Sequence, residues 1–129
     1  LEVGCGPVLL IGVKDYDRVG SAFDPLPGIN QDLKRMEATV RTLGFTDITV
    51  LKDPSREKML GAMNAFGEKL SNSEKTSFFY YSGHGVLQDK LNYLIPAKAQ
   101  VMARGHLKNY ALPFVSPKKQ NPSILSVKR

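Results

Sequence analysis

A single cysteine, Cys5, is present in 129 residues, so the sequence can build no intramolecular disulfide framework and no Cys-rich zinc site. A reducing compartment, the cytoplasm, fits that usage. No apolar run approaches the roughly 18 residues of a membrane span, and the start lacks the positive, apolar, small-residue order of a secretory signal. The chain reads as soluble, with no membrane partner, and because it begins at Leu1 an upstream segment is left open. Acidic residues are also missing from one end. Residues 1–97 carry 11 Lys or Arg against 12 Asp or Glu, whereas residues 98–129 carry seven basic residues and none acidic, so the net +6 belongs to the tail. Such a tail can bind phosphates by counterion release. Its charges are interleaved with Pro113, Pro117 and Pro122, and only Tyr110 and Phe114 offer rings for stacking, so it reads as a solvated linker or processing segment and no nucleic-acid partner is expected.

What is there suffices for one compact domain, with 42% hydrophobic residues and no low-complexity tract or internal repeat. Pro7–Val13 is a short apolar run, the pattern of a strand covered on both faces. A loop with Ser21, Pro25, Pro27 and Gly28 follows. Asn30 is then placed to cap a helix with Leu33, Met36, Val40 and Leu43 on one face and Gly44 as its terminator. Ile48–Leu51 predicts a second strand. Asp53-Pro54 predicts the capped start of a second helix that buries Met59, Leu60, Met63, Phe66 and Leu70 and ends near Leu70. The aromatic run Thr76–Tyr81 predicts a third strand leading into Ser82-Gly-His-Gly85. Alternating strands and helices imply a parallel α/β sheet. Asn92–Ile95 predicts one more short strand and Ser123–Val127 the start of another, whereas residues 97–122 show no clean period.

Ligands of an open parallel sheet gather at the carboxyl ends of its strands, which is where His84 falls. Glycines on both sides allow a sharp turn and a close approach of a main-chain N–H to a substrate. The local spacing alone fits equally a general base beside an oxyanion donor and a plain turn histidine. Gly4-Cys-Gly6 and Gly83-His-Gly85 each contain Gly-x-Gly, but one precedes its strand and the other lacks the third glycine and the helix that would meet a phosphate. His84 and His106 lie far from any pair of Cys, Asp or Glu at ligand spacing, so neither a metal nor another cofactor is expected, and His106 reads as a surface residue.

Five motifs stand in order: Leu9–Val13 followed by Tyr16, Leu26–Asp32, Leu43-Gly-Phe45, Phe78–Gly85 and Tyr93–Pro96. Over residues 7–97 they resemble the caspase-like cysteine peptidases (peptidase family C14), closest to the metacaspase and paracaspase branches. The resemblance implies a three-layer sandwich with a mostly parallel central sheet between helices. It divides the chain into the amino-terminal part of a catalytic domain, residues 1–97, and a segment 98–129 that is a linker or the start of the remaining core. It further implies that His84 is the base of a Cys–His dyad and that the N–H of Gly85 is the oxyanion donor. Asp32, and with less weight Ser82, would line the pocket for an Arg or Lys side chain before the cleaved bond, a carboxylate being the natural partner of a guanidinium. The acid in a first helical turn that a helix dipole favours is the plainer account of Asp32, and the two are compatible. A peptide or protein would be the substrate.

The resemblance lacks its nucleophile. The caspase His precedes its Cys by about 50 residues, which from His84 points past Arg129, so the isolated chain is expected to be inactive. Cys5 precedes the first strand, belongs by topology at the opposite edge, and reads as a small buried or incidental thiol. Two explanations remain: an amino-terminal portion of an active endopeptidase, truncated before the strand that bears the Cys, or a pseudoenzyme that acts as a protein-interaction module. Either way a raw sheet edge is expected to leave the isolated chain weakly stable, self-associating or in need of a complementing subunit.

Overall fold

A computed structural model describes residues 4–15, 26, 28–71, 74–88, 91–97, 112–114 and 127–128. In chain order the elements are β1 (Cys5–Gly12), α1 (Ile29–Thr42), β2 (Ile48–Lys52), α2 (Arg56–Ser71), β3 (Thr76–Ser82), β4 (Gly85–Gln88), β5 (Leu91–Leu94), β6 (Leu112–Phe114) and β7 (Val127–Lys128). Four strands form a sheet in the order β2-β1-β3-β7 with every neighbouring pair parallel, and β4-β5-β6 form a small antiparallel sheet. His106, most of the basic tail and the loop around Pro25 lie outside the described residues.

The apolar run of β1 is buried from Gly6 onward because a helix covers each face of the sheet. Val8 and Leu10 pack with Ile29, Leu33 and Val40 of α1, and Phe78 and Tyr80 join them. Leu9, Ile11 and Val13 point the other way, into a cluster with Met59 and Phe66 of α2 and with Phe79 and Tyr81 of β3. One-residue alternation along β1 and β3 thus feeds two cores from the same strands.

Gly44 ends α1 as expected. It adopts φ 105°, a left-handed value that a side chain resists, while its N–H donates to Arg41 O (3.0 Å) and that of Phe45 to Val40 O (3.0 Å). This reversal sends Phe45 into the core and leaves Leu43, expected on the buried face, 63% exposed. Leu60 is likewise 40% exposed, because the stripe of α2 that meets the sheet runs through Met59, Met63, Phe66 and Leu70. Both expected caps are displaced. α1 starts at Ile29 with Gly28 before it, and Asn30 lies inside the first turn. α2 is capped by Ser55, whose Oγ accepts the N–H of Lys58 (3.2 Å), and Asp53 serves elsewhere.

Gly12 fixes how closely α1 lies on the sheet. A Cβ there would meet Ile29 Cγ2 and Leu33 Cδ1 at 2.6 Å, both side chains being buried. Gly12→Ala is therefore expected to cost about 1–3 kcal/mol through overpacking, read as a lower unfolding midpoint. An unchanged midpoint would show that α1 can shift freely.

Candidate active site

The order β2-β1-β3 creates a switch point. From β1 the chain crosses by α1 to β2 on one side, then returns by α2 to β3 on the other, so α1 and α2 lie on opposite faces and diverge between the carboxyl ends of β1 and β3. In doubly wound sheets that divergence opens a crevice. Val13–Asp15 and Ser82–His84 border it, joined where the Val13 N–H donates to Ser82 O (2.8 Å). His84 is half-buried there, one residue past the bend at Gly83.

Gly85 departs from its expected part in a sharp turn, being the first residue of β4 and opposite Leu94. The N–H of Ile95 donates to His84 O at 3.2 Å, which makes 84 and 95 a hydrogen-bonded pair of the antiparallel ladder and 85 and 94 the next, non-bonded one. The N–H of Gly85 is consequently directed away from β5, towards the outer side of β4. A main-chain donor beside an imidazole is what an oxyanion site requires.

Ser82 is 1% exposed and continues the alternation of Phe78 and Tyr80, so it faces the layer of α1. Asp32 is half-buried in the first turn of that helix, its N–H donating to Gly28 O (3.2 Å). The turn is held at this level by Ile29 and Leu33 pressing on Gly12, and Gly12 is the register partner of Ser82. The topology therefore brings Asp32 and Ser82 to the same edge and the same face, with His84 and Gly85 at the end of β3.

Cys5 lies at the other edge, as its position before the apolar run implies. It pairs with Thr76 at the start of β3, eight residues before His84, a separation of roughly 25 Å at strand rise. It is exposed rather than buried, with Sγ 4.0 Å from Leu43 O. An open groove of about 760 Å³ adjoins it, lined by Thr46, Asp47, Lys69 and Lys75 among others. The Asp47–Lys69 ion pair (3.0 Å) spans charges of that lining, and among the described residues neither a histidine nor any of the carboxyl-edge residues lines the groove.

Two residues hold the carboxyl edge in ways the sequence reading did not assign to them. Asp53, at φ 49°, uses Oδ1 to accept the N–H groups of Lys14 and Asp15 (2.9 Å each), while its own N–H donates to Gly12 O (2.8 Å). It ties the segment after β1 to the segment after β2, and its 3.9 Å contact with Lys14 Nζ adds little, because the pair is partly solvated. The Asp-Pro pair reads in the sequence as a helix cap, and only the fold shows which amides the carboxylate reaches. Tyr81, fully buried, directs its hydroxyl at His84 O (2.7 Å) and Ile95 O (3.1 Å). A tyrosine in an aromatic strand gives no local sign of this.

A scan against protein-family models matches the caspase domain, Peptidase C14, over residues 5–125. No curated protein matches the chain significantly. Since the matched span omits only four residues at either end, and a parallel sheet between two helical layers is the architecture it calls for, the chain belongs to the caspase-domain family of cysteine-type peptidases.

Proposed function

We propose that this domain supplies the acid–base and specificity half of an endopeptidase of metacaspase or paracaspase type, which cleaves after Arg or Lys. His84 is the dyad base, and the nucleophilic Cys lies beyond residue 129. The observation that supports this most is the register of β7. It runs parallel to β3 with Lys128 opposite Ser82, so a chain continuing past it emerges beside His84. On the same reading residues 98–129 begin the rest of the core.

His84 takes the thiol proton as sulfur bonds to the scissile carbonyl carbon, and the N–H of Gly85 stabilises the oxygen that becomes negative. The protonated imidazole then gives that proton to the departing amine as the C–N bond breaks, leaving a thioester. Water attacks next, His84 accepts its proton, and the C–S bond opens to release the acid and restore the thiol. The Asp32 carboxylate, with Ser82 beside it, receives the basic side chain and rejects an acidic one by like charge.

The test is hydrolysis by the full-length protein of matched peptides with Arg, Lys or Asp before the cleaved bond. The expected result is turnover of the Arg and Lys peptides, blocked by thiol alkylation, and none of the Asp peptide. Preference for Asp would overturn the pocket assignment, and no turnover would favour a binding role.

A further inference from the structure

Tyr81 is a buried polar group at the site that no step of the proposed chemistry uses. Its hydroxyl lies 2.7 Å from His84 O and 3.1 Å from Ile95 O, and the Ile95 N–H donates to both His84 O and Tyr81 Oη at 3.2 Å. A hydroxyl has one proton, and the shorter contact marks His84 O as its acceptor. His84 O therefore receives two bonds, one from the β3 tyrosine and one from the residue after β5.

That carbonyl and the Gly85 N–H belong to one peptide unit. The unit is planar and trans, so fixing the direction of C=O fixes the N–H in the opposite direction. A rotation of this unit would swing the N–H off its line and would break both bonds that His84 O accepts, the 2.7 Å one from Tyr81 and the 3.2 Å one from Ile95, which opposes it. We infer that Tyr81 is the positioning residue for the oxyanion donor: its hydroxyl locks the His84–Gly85 peptide so that the Gly85 N–H faces the developing negative charge. The role rests on the peptidase reading above and adds a residue to it. The ring of Tyr81 is fully buried in the core under α2, so the lock is anchored in the domain interior.

The test is Tyr81→Phe in the full-length protein, which keeps the ring and removes only the hydroxyl, beside His84→Ala and Tyr80→Phe. Loss of an oxyanion donor lowers kcat by about 10²–10³-fold. Loosening one that Ile95 still holds is expected to lower kcat by about 10- to 100-fold with KM within about twofold, because the interaction exists only in the transition state. The Gly85 amide signal should move in ¹H–¹⁵N spectra, and Tyr80→Phe should leave kcat unchanged. A tyrosine that merely stabilised the fold would lower the unfolding midpoint without this kcat effect. Unchanged kcat and an unmoved Gly85 signal in Tyr81→Phe, where His84→Ala is inactive, would overturn the positioning role alone. Full activity of His84→Ala would overturn the peptidase reading and this role with it.

Discussion

His84→Ala is expected to lower kcat on Arg and Lys peptides by about 10²–10⁴-fold, the range that a positioned acid–base group contributes. The loss should come without unfolding. The backbone at position 84 is held through its carbonyl by Tyr81 and Ile95, and the half-buried His84 belongs to neither core cluster, so the unfolding free energy should stay within about 0.5–1 kcal/mol of the parent. Gly85 would keep its orientation for the same reason. The variant should therefore bind substrate with near-normal KM and fail at proton transfer, and circular dichroism with peptide kinetics separates this from loss of fold.

Asp32→Ala should act on one substrate class only. Truncating one partner of a desolvated charge pair costs about 2–5 kcal/mol. For a half-buried carboxylate the lower part of that range applies, a loss of about 30- to 300-fold in kcat/KM for Arg and Lys peptides. Asp32 also sits in the first turn of α1, where a negative charge stabilises the helix by about 0.3–1 kcal/mol. Both effects are measurable in one variant: the dipole contribution appears in the midpoint, the pocket contribution in the substrate ratio. A lower midpoint with an unchanged ratio would leave Asp32 as helix chemistry alone.

The central layer was legible because local patterns and tertiary burial agree there. The apolar run of β1, the aromatic run of β3 and the glycine after α1 each suit their observed environment, and β2 and β5 fall within a residue of expectation. Elements defined by partners distant in sequence were not legible. β4 and β6 have four and three residues and exist through pairing with β5, which no local period records. Ser55 displaced Asp53 as the cap of α2 because Asp53 is held in a left-handed turn by the amides of Lys14 and Asp15. The motif around His84 marks the proposed site in the sequence, whereas the hydrogen bonds of Tyr81 and Asp53 form only once β1, β2 and β3 lie side by side and the end of β5 meets the end of β3.

The central claim is that chemistry belongs to the carboxyl edge at His84 and not to the exposed thiol at the amino edge. The most direct measurement is turnover of an Arg peptide by full-length Cys5→Ala and His84→Ala proteins, compared side by side with the parent. The account predicts parental turnover for Cys5→Ala and essentially none for His84→Ala. Loss of activity in Cys5→Ala with a retained fold, or persistence of activity in His84→Ala, would contradict it.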